Sequence, residues 1–182
     1  MSDVLDSYEL EKKYGDVEYA GFWIRFGAAI IDGLVMIPFS FLIVYNIISM
    51  KSLALAFFLV VITGIYKPLM EFKYGATLGK MATNIKVVSL NYGPISMNQA
   101  IIRYSPWIIG HVLNIFTLMS IFSSANFENT LSFVEYSALV SEGNSVDGIA
   151  GLVILSVGII IVFDAQKRGG HDMLAKTFCI HN

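Results

Sequence analysis

The sequence predicts an all-α membrane protein: a four-helix transmembrane bundle with a small cytoplasmic β element and a short outer surface helix. Three observations carry this. Residues of the set AVILMFWYC make up 55% of the 182-residue chain and charged residues only 14%, with a mean hydropathy of +0.66. The remaining charges leave long gaps, and the Lys and Arg residues fall almost wholly on one side of those gaps. Soluble chains carry about 25% charge, and one of this size could not hide so much apolar surface. The composition also excludes a disordered chain, which needs low hydrophobicity and high net charge. A net charge of −2 leaves no basic excess for nucleic acid. Cys179 is the single cysteine, so intrachain disulfides and Cys-rich zinc sites are excluded.

Each span grows from a charge-free stretch: 33–50, 52–66, 104–127 and 148–163. A hydrocarbon core of ~30 Å needs roughly 20 helical residues. The first stretch reaches that length by starting near Phe22 and enclosing Arg25 and Asp32. The second reaches it by running to Met70 while Lys67 snorkels. The third is long enough by itself. The fourth is shorter, with Ser145 as N-cap and Asp147 in the first turn, where the helix dipole favours an anion. The expected helices lie near 22–46, 51–70, 97–122 and 146–164, in a transmembrane domain over 21–182. An acidic cytoplasmic segment, 1–20, precedes them. It holds six acidic residues against Lys12 and Lys13, so no basic region leads into a cleavable signal. With four alternating spans, eleven Lys and Arg residues share one face and Lys51 alone lies on the other. The positive-inside rule then places both termini in the cytoplasm, at the cell membrane.

The connections have their own patterns. Gly75-Ala76-Thr77-Leu78-Gly79-Lys80 looks like a phosphate loop, but three residues separate its glycines where that motif has four, and Met81 replaces the Ser or Thr after the Lys. It reads as an interfacial turn with Lys80 toward headgroups. Residues 85–90 alternate and are β-branched, and Asn91-Tyr92-Gly93-Pro94 turns the chain. Lys86–Leu90 is expected to pair with Thr177–Ile180 near the end. Ser96 and Gln99 have the capping-box form, so the third helix starts at Met97, with Arg103 near the interface and a kink expected at Pro106. The outer connection is acidic, and Phe127, Leu131, Val134 and Ala138 recur at helical spacing. That stripe suits a helix on the outer membrane surface or one that binds a partner. Cys179 stands fourth from the end, but His181 and Asn182 do not suit a prenylation signal.

Arg25 and Asp32 are seven apart, on one helix face and about 10.5 Å apart along the axis. A charge inside the bilayer costs at least ~2.5–3.5 kcal/mol, so Asp32 should face protein or water and have a partner. Arg25 is nearest in sequence and is expected to join it in a bridging network. Arg103, His111, Asn114 and Asp172 are the other candidates. Such a network either locks helix packing or forms a proton or cation site. Ala29 and Gly33, and Gly151 and Gly158, offer small faces for bundle or homodimer contacts. His171, His181 and Asp164 lack a metal-ligand spacing, and no catalytic motif is present. The chain is therefore expected to be no enzyme, with no cofactor and no metal.

Three segments together resemble one family. Tyr19-Ala20-Gly21-Phe22-Trp23-Ile24-Arg25-Phe26 with Ile31-Asp32 resembles the opening of RDD-family membrane proteins. Gly75 to Lys80 with Ile85-Lys86-Val87-Val88 resembles their middle motif, carried by Gly75, Thr77, Gly79 and Lys80. His171-Asp172-Met173-Leu174-Ala175-Lys176-Thr177 resembles their closing motif. The arginine and two aspartates that name the family fall on Arg25, Asp32 and Asp172. The long acidic outer connection departs from the pattern. The resemblance implies a multi-pass membrane protein, with family members linked to cation/proton exchange or to accessory roles in membrane complexes. Two functions are expected in turn. One is a small ion-handling transporter, working on a cation or proton through an Arg–Asp network of Arg25, Asp32, Asp172 and Arg103. The other is a non-catalytic accessory or regulatory subunit. The expected partners are the lipid bilayer and a second copy or a larger membrane protein.

Overall fold

The chain, seen here in a computed structural model, is described at residues 17–125, 127–130, 132–143 and 160–182. Helix α1 (Phe22–Tyr45) runs on through a π-turn (Asn46–Met50) and is followed by α2 (Leu53–Tyr74), the short α3 (Leu78–Ala82) and strand β1 (Ile85–Ser89). Helix α4 (Met97–Ser123), a 3-10 turn (Phe127–Asn129) and α5 (Phe133–Gly143) come next, and α6 (Gly170–Ala175) and β2 (Thr177–His181) close the order. Among the described residues three helices are long and apolar enough to cross a membrane: Phe22–Met50, Leu53–Tyr74 and Met97–Ser123. Of the expected span at 146–164, only 160–164 are described, and 160–163 are helical. Gly151 and Gly158 lie outside the described residues, as do residues 1–16 of the acidic segment.

Local chemistry sets the helix ends. Ser52 caps α2 by accepting from the Leu55 amide at 3.3 Å. At the other end Gly75, at φ +72°, takes the left-handed position that stops the helix, and its amide donates to the Glu71 carbonyl. The helix thus runs four residues past Met70. Glu71 is buried and paired, so its charge does not end the span. Ser96 and Gln99 form both halves of the capping box of α4, at 3.2 and 2.9 Å. Pro38, Pro68 and Pro106 lie inside α1, α2 and α4, and each helix continues through its proline.

Strands β1 and β2 pair antiparallel, with Val87 opposite Cys179 and Ser89 opposite Thr177. Tyr19 bridges to Ile180 on the far side of β2. Two strands alone are marginal in water, and here both faces of the pair are covered. Ile85, Val87 and Cys179 pack with Ala20, Ala28, Ile95 and Ala100, which joins the sheet to the starts of α1 and α4. Val88, Phe178 and Ile180 pack with Val17, Tyr19 and Tyr92 on the other side.

A separate cluster of Ile47, Ala56, Val60, Leu118, Ile121, Phe127 and Leu139 sits at the opposite helix ends. There the expected stripe changes. Phe127 is buried in the 3-10 turn, but Val134 is 74% exposed, and α5 packs through Tyr136, Leu139 and Val140. The chain leaves the helix after Asn129 and starts again at Phe133, so one helical period does not run across the break; Leu131 is outside the described residues. Along α1, Phe26, Ile30, Leu34, Ile37 and Phe41 are exposed. This is stable only where the surrounding solvent is itself apolar. Gly33 is exposed as well, with nothing within 4 Å of its Cβ position.

Candidate functional site

Five charged side chains form one chain of ion pairs where α1, α2, α3, α4 and α6 meet. Arg25, from the first turn of α1, pairs with Asp172 of α6. Its Nε donates to the Ala20 carbonyl at 2.9 Å, and its second terminal nitrogen to the Lys167 carbonyl at 2.7 Å. Asp172 also accepts from Arg103 of α4 and, at 2.9 Å, from the Gly169 amide. Arg103 continues the chain: its Nε donates to Glu71 at 2.9 Å and a terminal nitrogen to the Thr177 hydroxyl at 2.6 Å. Glu71 accepts in turn from Lys80 of α3. Asp172 is 0% and Arg103 3% exposed, so both ions depend on these partners.

Asp32 is held apart from that chain. Its Oδ1 accepts from the Tyr66 hydroxyl at 3.0 Å and the Gly79 amide at 2.8 Å, and its Oδ2 from the Thr77 hydroxyl at 2.7 Å. Tyr66 is fixed by accepting from the Leu78 amide at 3.0 Å. Thr77 is also the N-cap of α3. The loop that resembles a phosphate-binding loop therefore presents amide and hydroxyl donors to an anion, and that anion is a carboxylate of its own chain. Gly79 makes this approach feasible. A Cβ there would stand 2.0 Å from the Ala28 carbonyl oxygen and 2.9 Å from the Asp32 carboxyl carbon.

The sequence expectations sort accordingly. Arg25, Asp172 and Arg103 meet directly. Asp32 does not bridge to Arg25, because Asp172 lies in reach of that guanidinium, and it draws on donors from α2 and α3 instead. His111 packs against Gly64 and Tyr104, and Asn114 donates to the Gly110 carbonyl of its own helix, so neither reaches Asp32. Lys80 turns inward to Glu71, not outward to headgroups. Helix α3 nevertheless links the two halves, with Thr77 and Gly79 on Asp32 and Lys80 on Glu71. Glu71, Tyr66 and Thr177 were missed by sequence reasoning. Glu71 carried a signal, as the acidic residue amid Lys67, Lys73 and Lys80. Tyr66 carried none, and Thr177 carried only its place at the end of the closing motif.

His171 borders the cluster. Its Nε2 lies 3.2 Å from Asp172 Oδ1, its ring meets the edge of Trp107 at 5.1 Å, and its Nδ1 is buried without a hydrogen-bond partner. Burial pushes this imidazole down to about 4, with Arg103, Lys80 and Arg25 adding to the effect against Asp172. It is neutral at pH 7. Burial alone would raise Asp172, but Arg103, Arg25 and the Gly169 amide outweigh it and hold the carboxyl well below the usual range. Among the described residues no group of three or more His, Cys, Asp or Glu is placed to hold a metal ion.

The RDD family model matches residues 19–176, which take in Arg25, Asp32, Glu71, Thr77, Gly79, Arg103 and Asp172. The uncharacterized protein YxaI of Bacillus subtilis (strain 168) is 31% identical over 187 residues, covering 89% of this chain and 97% of that protein. No solved structure matches. With three membrane-length apolar helices among the described residues and a family match across most of its length, the chain is a membrane protein that belongs to the RDD family.

Proposed function

We propose that the protein is a non-catalytic accessory or regulatory subunit of a larger membrane assembly, with both termini in the cytoplasm, and that its charge cluster clamps the helix ends. One observation carries this reading: the cluster is closed. All six carboxylate oxygens of Asp32, Glu71 and Asp172 accept from a donor. Arg25, Arg103 and Lys80 equal the three carboxylates in number, although they pair only with Glu71 and Asp172 and Asp32 rests on hydroxyl and amide donors. A saturated, neutral cluster favours one arrangement of the helices over exchange between two. Isolation from membranes in mild detergent should bring a partner in fixed stoichiometry. The pure protein in proteoliposomes, under a cation gradient with a pH-sensitive dye, should give no flux above empty vesicles. Flux from the pure protein would sink this reading.

A second reading, ion handling at Asp32, is favoured by a different observation. Among the described residues Asp32 alone of the three carboxylates makes no ion pair, and the Tyr66 and Thr77 hydroxyls around it can either donate or accept. If Asp32 exchanges a proton or cation, Asp32→Asn keeps the fold and abolishes flux, because the amide cannot titrate. Flux that survives in Asp32→Asn would remove this reading.

A further inference from the structure

Lys67 is the cation that the cluster leaves over. It lies on α2 one turn before Glu71, yet Glu71 is taken by Lys80 and Arg103, and every oxygen of Asp32 is taken by α2 and α3 donors. Among the described residues no acceptor reaches the Lys67 ammonium, which instead stands 5.5 Å from the centre of the Trp107 ring on α4. Trp107 is held in that position by Tyr104, stacked at 6.1 Å, and by His171 against its edge. One turn deeper, Gly64 presents no side chain, and His111 packs 3.6 Å from its Cβ position. The face between α2 and α4 thus has an aromatic floor and one partly exposed positive charge that has no ion-pair partner among the described residues, the Asp32 and Glu71 carboxylates acting on it only from beyond contact distance.

Counted together, Lys67, Lys80, Arg25 and Arg103 are four cations against the three carboxylates Asp32, Glu71 and Asp172, so the group carries one surplus positive charge. A phosphate group is the complementary occupant. Lys presents a compact point charge with three donors to phosphate oxygens, and basic pockets between membrane helices on the cytoplasmic side hold anionic headgroups. The asymmetry of Lys and Arg puts this end of the helices on that side. We infer that Lys67 over Trp107 binds the phosphate of an anion seated between α2 and α4, supplied by an anionic lipid headgroup or by free phosphate.

The test uses the full chain with Trp23→Phe, which leaves Trp107 as the single tryptophan. In mixed micelles, brominated phosphatidylglycerol should quench Trp107 at about fivefold lower mole fraction than brominated phosphatidylcholine, the effect of one basic residue facing an anionic surface. Lys67→Gln should abolish the preference, while Lys67→Arg and Lys73→Gln keep it; retention in Lys67→Arg excludes loss through misfolding. If free phosphate is the source, inorganic phosphate in phosphatidylcholine micelles should shift Trp107 emission in a Lys67-dependent way, with no preference between the two lipids. Equal quenching by both lipids with no response to phosphate, or a preference that survives in Lys67→Gln, would overturn the site.

Discussion

The guanidinium of Arg25 and the carboxylate of Asp172 meet directly, although 147 positions separate them in the chain. The contact ties the first turn of α1 to α6, and the same carboxylate holds Arg103 of α4. One buried aspartate therefore fixes three helices.

Asp172→Ala should strand two buried guanidiniums at once. Removing one partner of a buried ion pair costs about 3–5 kcal/mol, and the loss should appear as a large fall in the thermal midpoint in detergent. Asp172→Asn should fall less, because the amide oxygen still accepts. An unchanged midpoint for the alanine variant would show that Arg25 and Arg103 find other acceptors.

Acid stability should be lost in two separate windows. His171 titrates near 6.5 when unfolded and near 4 when folded. Between those values the unfolded chain binds a proton that the folded chain refuses, so stability falls as pH drops through the window and levels off below it. The shift corresponds to at most about 3 kcal/mol. Asp172 works at lower pH: its folded value is depressed, so its contribution is full above about 4, the unfolded value, and declines below it. Denaturant titrations of His171→Gln should lose the upper window and keep the lower one. A persistent slope between pH 6.5 and 4 would assign that window to another group.

Two glycines of α1 and α3 should respond oppositely. Gly79→Ala places a Cβ 2.0 Å from the Ala28 carbonyl oxygen, so α3 must shift and release Asp32. A loss of about 1–3 kcal/mol is the expected scale of such overpacking. Gly33→Ala meets nothing within 4 Å and should melt no lower than the parent. Equal melting of both variants would mean that α3 does not dock on α1 as described.

Topology can be read by labelling. In a Cys179→Ser background, cysteines introduced at Lys86 and at Ser137 should react from opposite faces of the membrane, with Ser137 reached from outside on intact cells. Labelling of both from outside would reverse or break the arrangement. Cys179 is fully buried, so it should contribute little even where it is retained.

Much of the architecture was legible because it rests on local patterns. The apolar runs around 22–46, 51–70 and 97–122 mark helices, since lipid forces a chain to satisfy its backbone internally. Ser96 and Gln99 announced the start of α4 through neighbours three residues apart. The alternation at 85–90 and the β-prone residues 177–180 announced strands that do pair. The stripe through Phe127 and Val134 misled, because helical spacing was counted across a break that sequence periodicity does not reveal.

The sequence by itself determined which residues must be buried in pairs: a charge such as Asp32 or Arg103 within an apolar helix cannot stand alone in a medium that does not solvate it. Only the tertiary structure decided who pairs with whom. Asp32 goes to Tyr66, Thr77 and Gly79, and Arg25 goes to Asp172, because Gly79 lets α3 close onto α1 and the folded tail brings α6 to the start of that helix. Coulombic and hydrogen-bond energies depend on distance in space and on the local dielectric, and neither quantity can be read from spacing along a chain.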